Sequence, residues 1–292
     1  AAMCPLDLPD ELVKAFAEIS FQGEPNRLSR KRINWEIIGR TARRIRKNDT
    51  AALISAPSTS PPVEVGNSNV SAAKLIRRRR SATAFSSAGS LSVQEFRGIL
   101  AQTLPIASRA PFDVGPLPGS ASLIIFAHQI KGLPSGMYAF IRSDQNLKPL
   151  QDSCRKDFMW SRPVPDFPLY LLEEGSFRQI ATMLSCHQSI AGEGVFSLGM
   201  LARFRGHVEA APYRYRWLFW EAGMVGQVLY LEAEAHGLRG TGIGCYFDDE
   251  VHSLLGLTDN TYQSLYHFTV GLPVEDQRLT TLPPYGHLKN RM

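Results

Sequence analysis

Four stretches of the 292-residue chain bring chemically capable side chains together. In RRRRSATAF, Arg77 to Phe85, several guanidinium groups and a hydroxyl stand at the end of a helix before a Ser/Gly turn. Arginine is suited to bidentate phosphate binding, and each charged hydrogen bond of that kind contributes roughly 1.5 to 3 kcal/mol. In GLRGTGIGCYFDDEV, Gly237 to Val251, glycines at 237, 240, 242 and 244 point to a turn with unusual backbone angles or to close approach of a ligand, and Asp248 is expected to cap the next helix. The plain alternative is a tight connection between two helices. Its glycine spacing is not that of a dinucleotide fingerprint, and no phosphate-cradling lysine motif accompanies it. In VGLPVEDQRL, Val270 to Leu279, a strand ends and Arg278 emerges past a turn. In LSCHQSIAG, Leu184 to Gly192, Cys186 adjoins His187. Neighbours on a helix diverge by about 100°, so this pair does not serve as a Cys/His nucleophile; a core cysteine beside a hydrogen-bonded histidine is the simpler reading.

These residues need a scaffold, and the chain supplies the signals for one. Residues 7–19 and Asn34 to Lys47 have amphipathic helical patterns. The second carries Arg40, Arg43, Arg44 and Arg46, a solvated basic face without the aromatic platform that nucleic-acid binding would use. Residues 48–70 are rich in Ala, Ser, Pro and Asn and read as a linker. The main domain is therefore 71–292, preceded by a helical arm at 1–47. Ser92 and Glu95 have capping-box spacing. Residues 121–128 and 137–141 read as strands about a Gly/Pro turn, with further strands at Ser264 to Val270 and Val195 to Leu201. Tyr213 to His236 is a long helix, apolar on nearly every side and so expected to be buried, with Gly237 as its stop. Ala222, Gly223 and Gly226 in its middle would let another backbone approach. The order of elements predicts an α+β fold around a mixed or antiparallel sheet.

Composition narrows the setting. A hydrophobic content of 44% excludes wholesale disorder, and the net charge of +5 is concentrated in Arg40 to Lys47 and Arg77 to Arg80. Cys4, Cys154, Cys186 and Cys245 are far apart with no paired spacing, which suggests neither a zinc site nor a disulfide framework and fits a reducing, cytoplasmic compartment. No membrane span or export signal is expected.

Taken together, RRSATAF, YRYRWLFWEAGMVGQVLYLEAEAHGL, TGIGCYFDDEVHSLLGL and VGLPVEDQRL occur in an order that resembles the nitroreductase flavoproteins, and among them the SagB-type dehydrogenases that include azoline oxidases. The resemblance spans about Ser71 to His287. It implies a dimer-forming nitroreductase fold that binds FMN and moves electrons between NAD(P)H or an oxidisable substrate and a small-molecule or peptide-azoline partner. By the same resemblance, Arg79 and Ser81 contact the FMN phosphate and ribityl chain, and Arg278 is a second phosphate ligand. Thr83 stands near the pyrimidine, where the family commonly has Arg or Lys. The backbone of Gly242, Ile243, Gly244 and Cys245 is presented to the flavin's reactive nitrogen, and the long helix is the central dimer helix. VGPLPGSA, Val114 to Ala121, replaces a glycine-rich segment common in SagB-type members. PNRLSRKRINW, Pro25 to Trp35, is similar to the connector of tandem nitroreductases, so the partner is a second copy or an upstream half. The other reading is a catalytically silent half-domain that completes a partner's flavin site.

Overall fold

The computed structural model describes residues 9–20, 33–47, 70–106, 109–113, 119–284 and 286. The 48–69 part of the expected linker, most of the tandem-type connector and residues 114–118 of VGPLPGSA lie outside them. The chain divides into two units, Ala1–Ile54 and Ser55–Met292. The first holds helices α1 (Asp10–Ala17) and α2 (Glu36–Arg44), neither with a buried residue.

The second unit runs α3 (Ala72–Arg78), β1 (Phe85–Ser86), β2 (Leu91–Ser92), α4 (Val93–Gln102), β3 (Ala121–Ala127), β4 (Ile130–Lys131) and β5 (Gly136–Phe140). It continues with α5 (Leu147–Ser153), β6 (Leu169–Glu174), α6 (Arg178–Leu184), α7 (Ile190–Glu193), β7 (Phe196–Arg203) and α8 (Arg205–Ala210). Last come α9 (Arg214–Ala235), β8 (Arg239–Ile243), α10 (Asp248–Leu255) and β9 (Tyr262–Pro273). Seven strands form one sheet in the order β1-β9-β7-β3-β5-β6, with β8 paired to β9, and all its pairings are antiparallel. The expected α+β class holds, with the sheet antiparallel rather than mixed.

Alternation along β3 shows how the layers form. Leu123 and Ile125 face a cluster with Phe96, Ile99 and Leu100 of α4 and Ala222, Val225 and Leu229 of α9. Ile124 and Phe126 face the opposite cluster, with Leu150 of α5, Leu184 of α6 and Val251 and Leu255 of α10. Both faces are covered, so every residue of β3 and β5 is buried. Helix α4 starts on the expected capping box: Glu95 N–H donates to Ser92 Oγ at 3.2 Å, and Ser92 N–H donates to Glu95 Oε2 at 2.7 Å.

Three expectations change. The glycine-rich stretch is not a turn at Gly240 to Ile243 but strand β8, and Gly240 and Gly242 are small for side-chain reasons. A Cβ on Gly240 would lie 2.5 Å from Phe268 Cζ, and one on Gly242 would lie 1.7 Å from the Tyr266 hydroxyl. Asp248 is the first helical residue of α10 rather than its cap, and its Oδ2 accepts from Gln263 Nε2 at 2.7 Å. Helix α9 is buried on one side only: Leu218, Ala222, Val225 and Leu229 pack inward, while Trp220 is 59% exposed. Gly226 lets the Tyr266 ring approach, not another backbone, and Gly223 faces open space.

The inward face of α9 also carries charge. Glu221 Oε1 accepts from Arg142 Nη1 at 2.5 Å, with both side chains essentially inaccessible. Glu221 Oε2 accepts from Ser120 N–H at 3.0 Å, and Arg142 donates to the carbonyls of Thr103 and Ala121. Such a network ties α9 to β3, the end of α4 and the segment after β5. Both carboxylate oxygens and the Arg142 Nε and Nη1 donors are used, which offsets the cost of burying the pair, while Arg142 Nη2 has no partner among the described residues.

Candidate functional site around Tyr230

The four arginines that end α3 divide into separate roles. Arg80 turns back, and its Nη1 donates to the carbonyls of Arg77, Arg78 and Arg79, capping the helix it follows. Arg78 pairs with Glu234 of α9 at 2.5 Å and also donates to the Glu234 carbonyl at 3.1 Å, docking α3 on the long helix. Arg77 is exposed. Arg79 has no ion pair among the described residues, and its guanidinium lies 4.6 Å from the centre of the Tyr230 ring. A stacked guanidinium keeps its in-plane N–H donors available to an anion.

Tyr230, on α9, organises this corner. Its hydroxyl lies 2.9 Å from Ser81 Oγ and accepts from Gly242 N–H at 2.8 Å. The ring packs edge-on against Phe268, with centroids 4.7 Å apart. Beside it the RRS segment is laid along β8: Ala82 N–H donates to the Gly240 carbonyl at 3.3 Å, and Thr241 Oγ1 donates to the Ala82 carbonyl at 2.7 Å. One tyrosine thus joins three sequence-predicted residues, Arg79, Ser81 and Gly242. Tyr230 itself escaped the sequence reading, because on an apolar helix nothing local distinguishes an aromatic that anchors a site from one that fills a core.

The remaining predicted residues are placed differently. Thr83 is exposed, and Ile243 is buried in the core. Gly244 and Cys245 are exposed where β8 ends, a Cβ on Gly244 would meet nothing within 4 Å, and their N–H groups have no acceptor among the described residues. Gly242 N–H, by contrast, is already committed to Tyr230. Arg278 is 89% exposed on its side chain and forms a two-pronged pair with Asp276, at 2.9 and 2.7 Å. That contact holds the Asp276 carboxyl below its usual range. Its strand leaves the sheet beside the RRS segment, since Val274 N–H donates to the Ala84 carbonyl at 3.0 Å.

Cysteine spacing misled the sequence reading. Cys186 and Cys245 form a disulfide, with Cα atoms 5.7 Å apart, and Cys154 is buried, its thiol pushed up to about 12 by desolvation. Cys186 and His187 do not lie on a helix but follow α6, both left-handed, at φ 52° and 58°. Cys186 is half-buried and crosslinked rather than a core cysteine, and His187 beside it is exposed. Such angles cost non-glycine residues of order 1–3 kcal/mol each and call for something to hold them. Beneath the disulfide, His267 lies between Ser185 Oγ and Ser264 Oγ, at 3.4 and 3.3 Å, with its ring stacked on Tyr246 at 4.4 Å. Burial brings the His267 imidazole down to about 4, so it is neutral at pH 7. Among the described residues, no cluster of three or more His, Cys, Asp or Glu could hold a metal, and no helix is long and apolar enough to cross a membrane.

An antiparallel sheet covered on one face by α4 and α9, with an arginine–serine segment laid along its edge, defines a nitroreductase-like α+β fold. Residues 175–272 match the model of the nitroreductase family. No curated protein matches the chain by sequence. Among solved structures, a protein described as a nitroreductase from Anabaena variabilis is similar at 22% identity with a TM-score of 0.53, over 69% of this chain. This chain spans 38% of the length of that structure. Nitroreductase A from Vibrio parahaemolyticus aligns at 16% identity and a TM-score of 0.44, covering 73% of this chain and 71% of its own. The E. coli microcin synthetase McbBCD complex with truncated pro-MccB17 aligns at 17% identity and a TM-score of 0.49, covering 91% of each chain.

Proposed function

We propose that the chain is an FMN-dependent oxidoreductase. The observation that carries this is Arg79, a guanidinium with no carboxylate partner among the described residues, held on Tyr230 beside the Ser81 hydroxyl. The donor set fits the cofactor at both ends. Arg79 and Ser81 would hold the phosphate and the adjoining ribityl hydroxyls, with Arg278 joining them by exchanging Asp276 for the phosphate. The open N–H groups of Gly244 and Cys245 would donate to the ring edge where negative charge develops on reduction. FMN, when bound, supplies the hydride and electron transfer, which is why the protein needs no acid–base pair of its own.

The finer assignment follows from the motif resemblance: a SagB-type dehydrogenase, drawing electrons from NAD(P)H or an oxidisable substrate and acting on a small-molecule or peptide-azoline partner in the cytoplasm. Trp220 and Phe219, exposed on the outer face of α9, would form the homodimer seam or the contact with a tandem half. Two observations favour the silent half-domain instead: Gly242 N–H is spent on Tyr230, and Thr83 offers no cation to the ring. Titrating purified protein with FMN separates the two. Flavin fluorescence quenched to a stoichiometric end point, followed by bleaching of the bound flavin with NAD(P)H, supports the enzyme. Protein that leaves a desalting column colourless after incubation with excess FMN is the silent domain.

A further inference from the structure

We propose that Cys186–Cys245 is a thiol–disulfide exchange site, reduced and re-formed by low-molecular-weight thiols while the protein stays folded. Three features of its surroundings carry this, and none depends on a bound flavin.

Accessibility is the first. Cys245 is exposed and Cys186 half-buried, so an incoming thiolate can reach the Cys245 sulfur. A groove lined by Met183, His187, Ser189 and Arg178 opens at the residue after Cys186.

Backbone angles are the second. Cys186 and His187 both hold left-handed angles that favour glycine, so one end of the crosslink is anchored on strained backbone. Exposed disulfides with strained surroundings are the readily reduced ones.

The third is redundancy. The two segments are tied together without the sulfur bond: Phe247 N–H donates to the Leu184 carbonyl at 2.8 Å, and Gln188 Nε2 donates to the Cys245 carbonyl at 3.3 Å. His267 touches Ser185, which precedes Cys186, and stacks on Tyr246, which follows Cys245. Reduction therefore leaves the two thiols facing each other, ready to be oxidised again.

The chemistry balances with a thiol as the named reductant. A thiolate attacks Cys245 Sγ, forming a mixed disulfide and expelling the Cys186 thiolate. A second thiol then attacks the external sulfur of the mixed disulfide, releasing Cys245. The external thiols leave as their disulfide, and the protein has gained two electrons and two protons. Oxidation by a disulfide such as oxidised glutathione runs the same steps backwards.

Native protein equilibrated in glutathione buffers of varied ratio, quenched by alkylation and weighed by mass spectrometry, tests this. The expected result is a gain of two alkylated thiols in reduced glutathione, mapped to Cys186 and Cys245, with unchanged circular dichroism and full reversal in oxidised glutathione. Cys154, buried and with its thiol held protonated, is the internal control and alkylates only after denaturation. Cys186→Ser should accumulate one glutathione on Cys245 several-fold faster than Cys245→Ser accumulates it on Cys186. A disulfide that resists reduction until denaturant is added overturns the proposal, as does a pair that stays free in oxidised glutathione. Equal rates in the two variants overturn the order of attack.

Discussion

At the scale of single residues, the decisive distinction is among four adjacent arginines of identical charge. Arg78 docks a helix, Arg80 caps one, and only Arg79 is stacked with its donors uncommitted. Arg79→Ala should therefore weaken FMN binding by about 10- to 100-fold, the equivalent of one charged hydrogen bond, with no change in melting temperature. Arg78→Ala should do the reverse: unchanged FMN affinity and a stability loss of about 1 kcal/mol, small because its side chain is half exposed. Fluorescence titration and thermal melts of both variants check the pair; equal loss of FMN in the two would refute the division of roles. The RRS motif was legible from residue type and order. Which guanidinium faces a ligand was not, because Glu234 is 156 residues from Arg78 and Ser81 is 149 from Tyr230.

At the scale of elements, β8 shows how a glycine-rich segment can be a strand. Glycines read as conformational freedom, yet Gly240 and Gly242 are positions where the aromatic layer of Tyr230, Tyr266 and Phe268 fills the space a side chain would take. Gly240→Ala is expected to destabilise by about 1–3 kcal/mol, since its methyl would press on the buried Phe268 ring. Gly244→Ala should be nearly silent for stability, because nothing lies within 4 Å of its Cβ. Chemical denaturation of the two proteins distinguishes them, and equal midpoints would show that the aromatic layer yields freely. Strands β3, β7 and β9 were readable from apolar and alternating runs, as was the capping box of α4. β6 went unnoticed because LYLLEE is short and sits in a segment of prolines and aromatics.

For the molecule as a whole, stability rests on buried polar groups that join distant elements. Arg142→Met leaves Glu221 without its ion-pair partner in the core, at a cost of about 3–5 kcal/mol. Urea unfolding reads this directly; a loss under about 1 kcal/mol would mean that water reaches the pair. Two buried histidines set the acid limb. His128 and His267 are both held down to about 4, whereas an unfolded imidazole titrates near 6.5, so the unfolded chain binds more protons between those values. Stability is full above about pH 6.5 and falls as pH drops toward 4, by up to about 3 kcal/mol for each histidine. His267→Asn should flatten that slope in melts taken from pH 7 to pH 4.5, and an unchanged slope would place the titration elsewhere. The outer face of α9 bears on assembly: if it is the dimer seam, Trp220→Glu should give monomers in sedimentation while the wild type sediments as a dimer.

The sequence by itself determined the α+β class, the main strands, the long helix and its glycine stop, and the presence of an arginine–serine segment suited to phosphate. Those features are written in local periodicity and residue chemistry, which survive without knowledge of the fold. Only the tertiary structure decided that Arg79 is stacked on Tyr230 with its donors open while Arg78 and Arg80 are engaged, that β8 is a strand, that α9 hides just one face, and that Cys186 meets Cys245 across 59 residues. Each of those depends on which distant segments fold against one another, and the pairing of distant segments leaves no period in the chain to read.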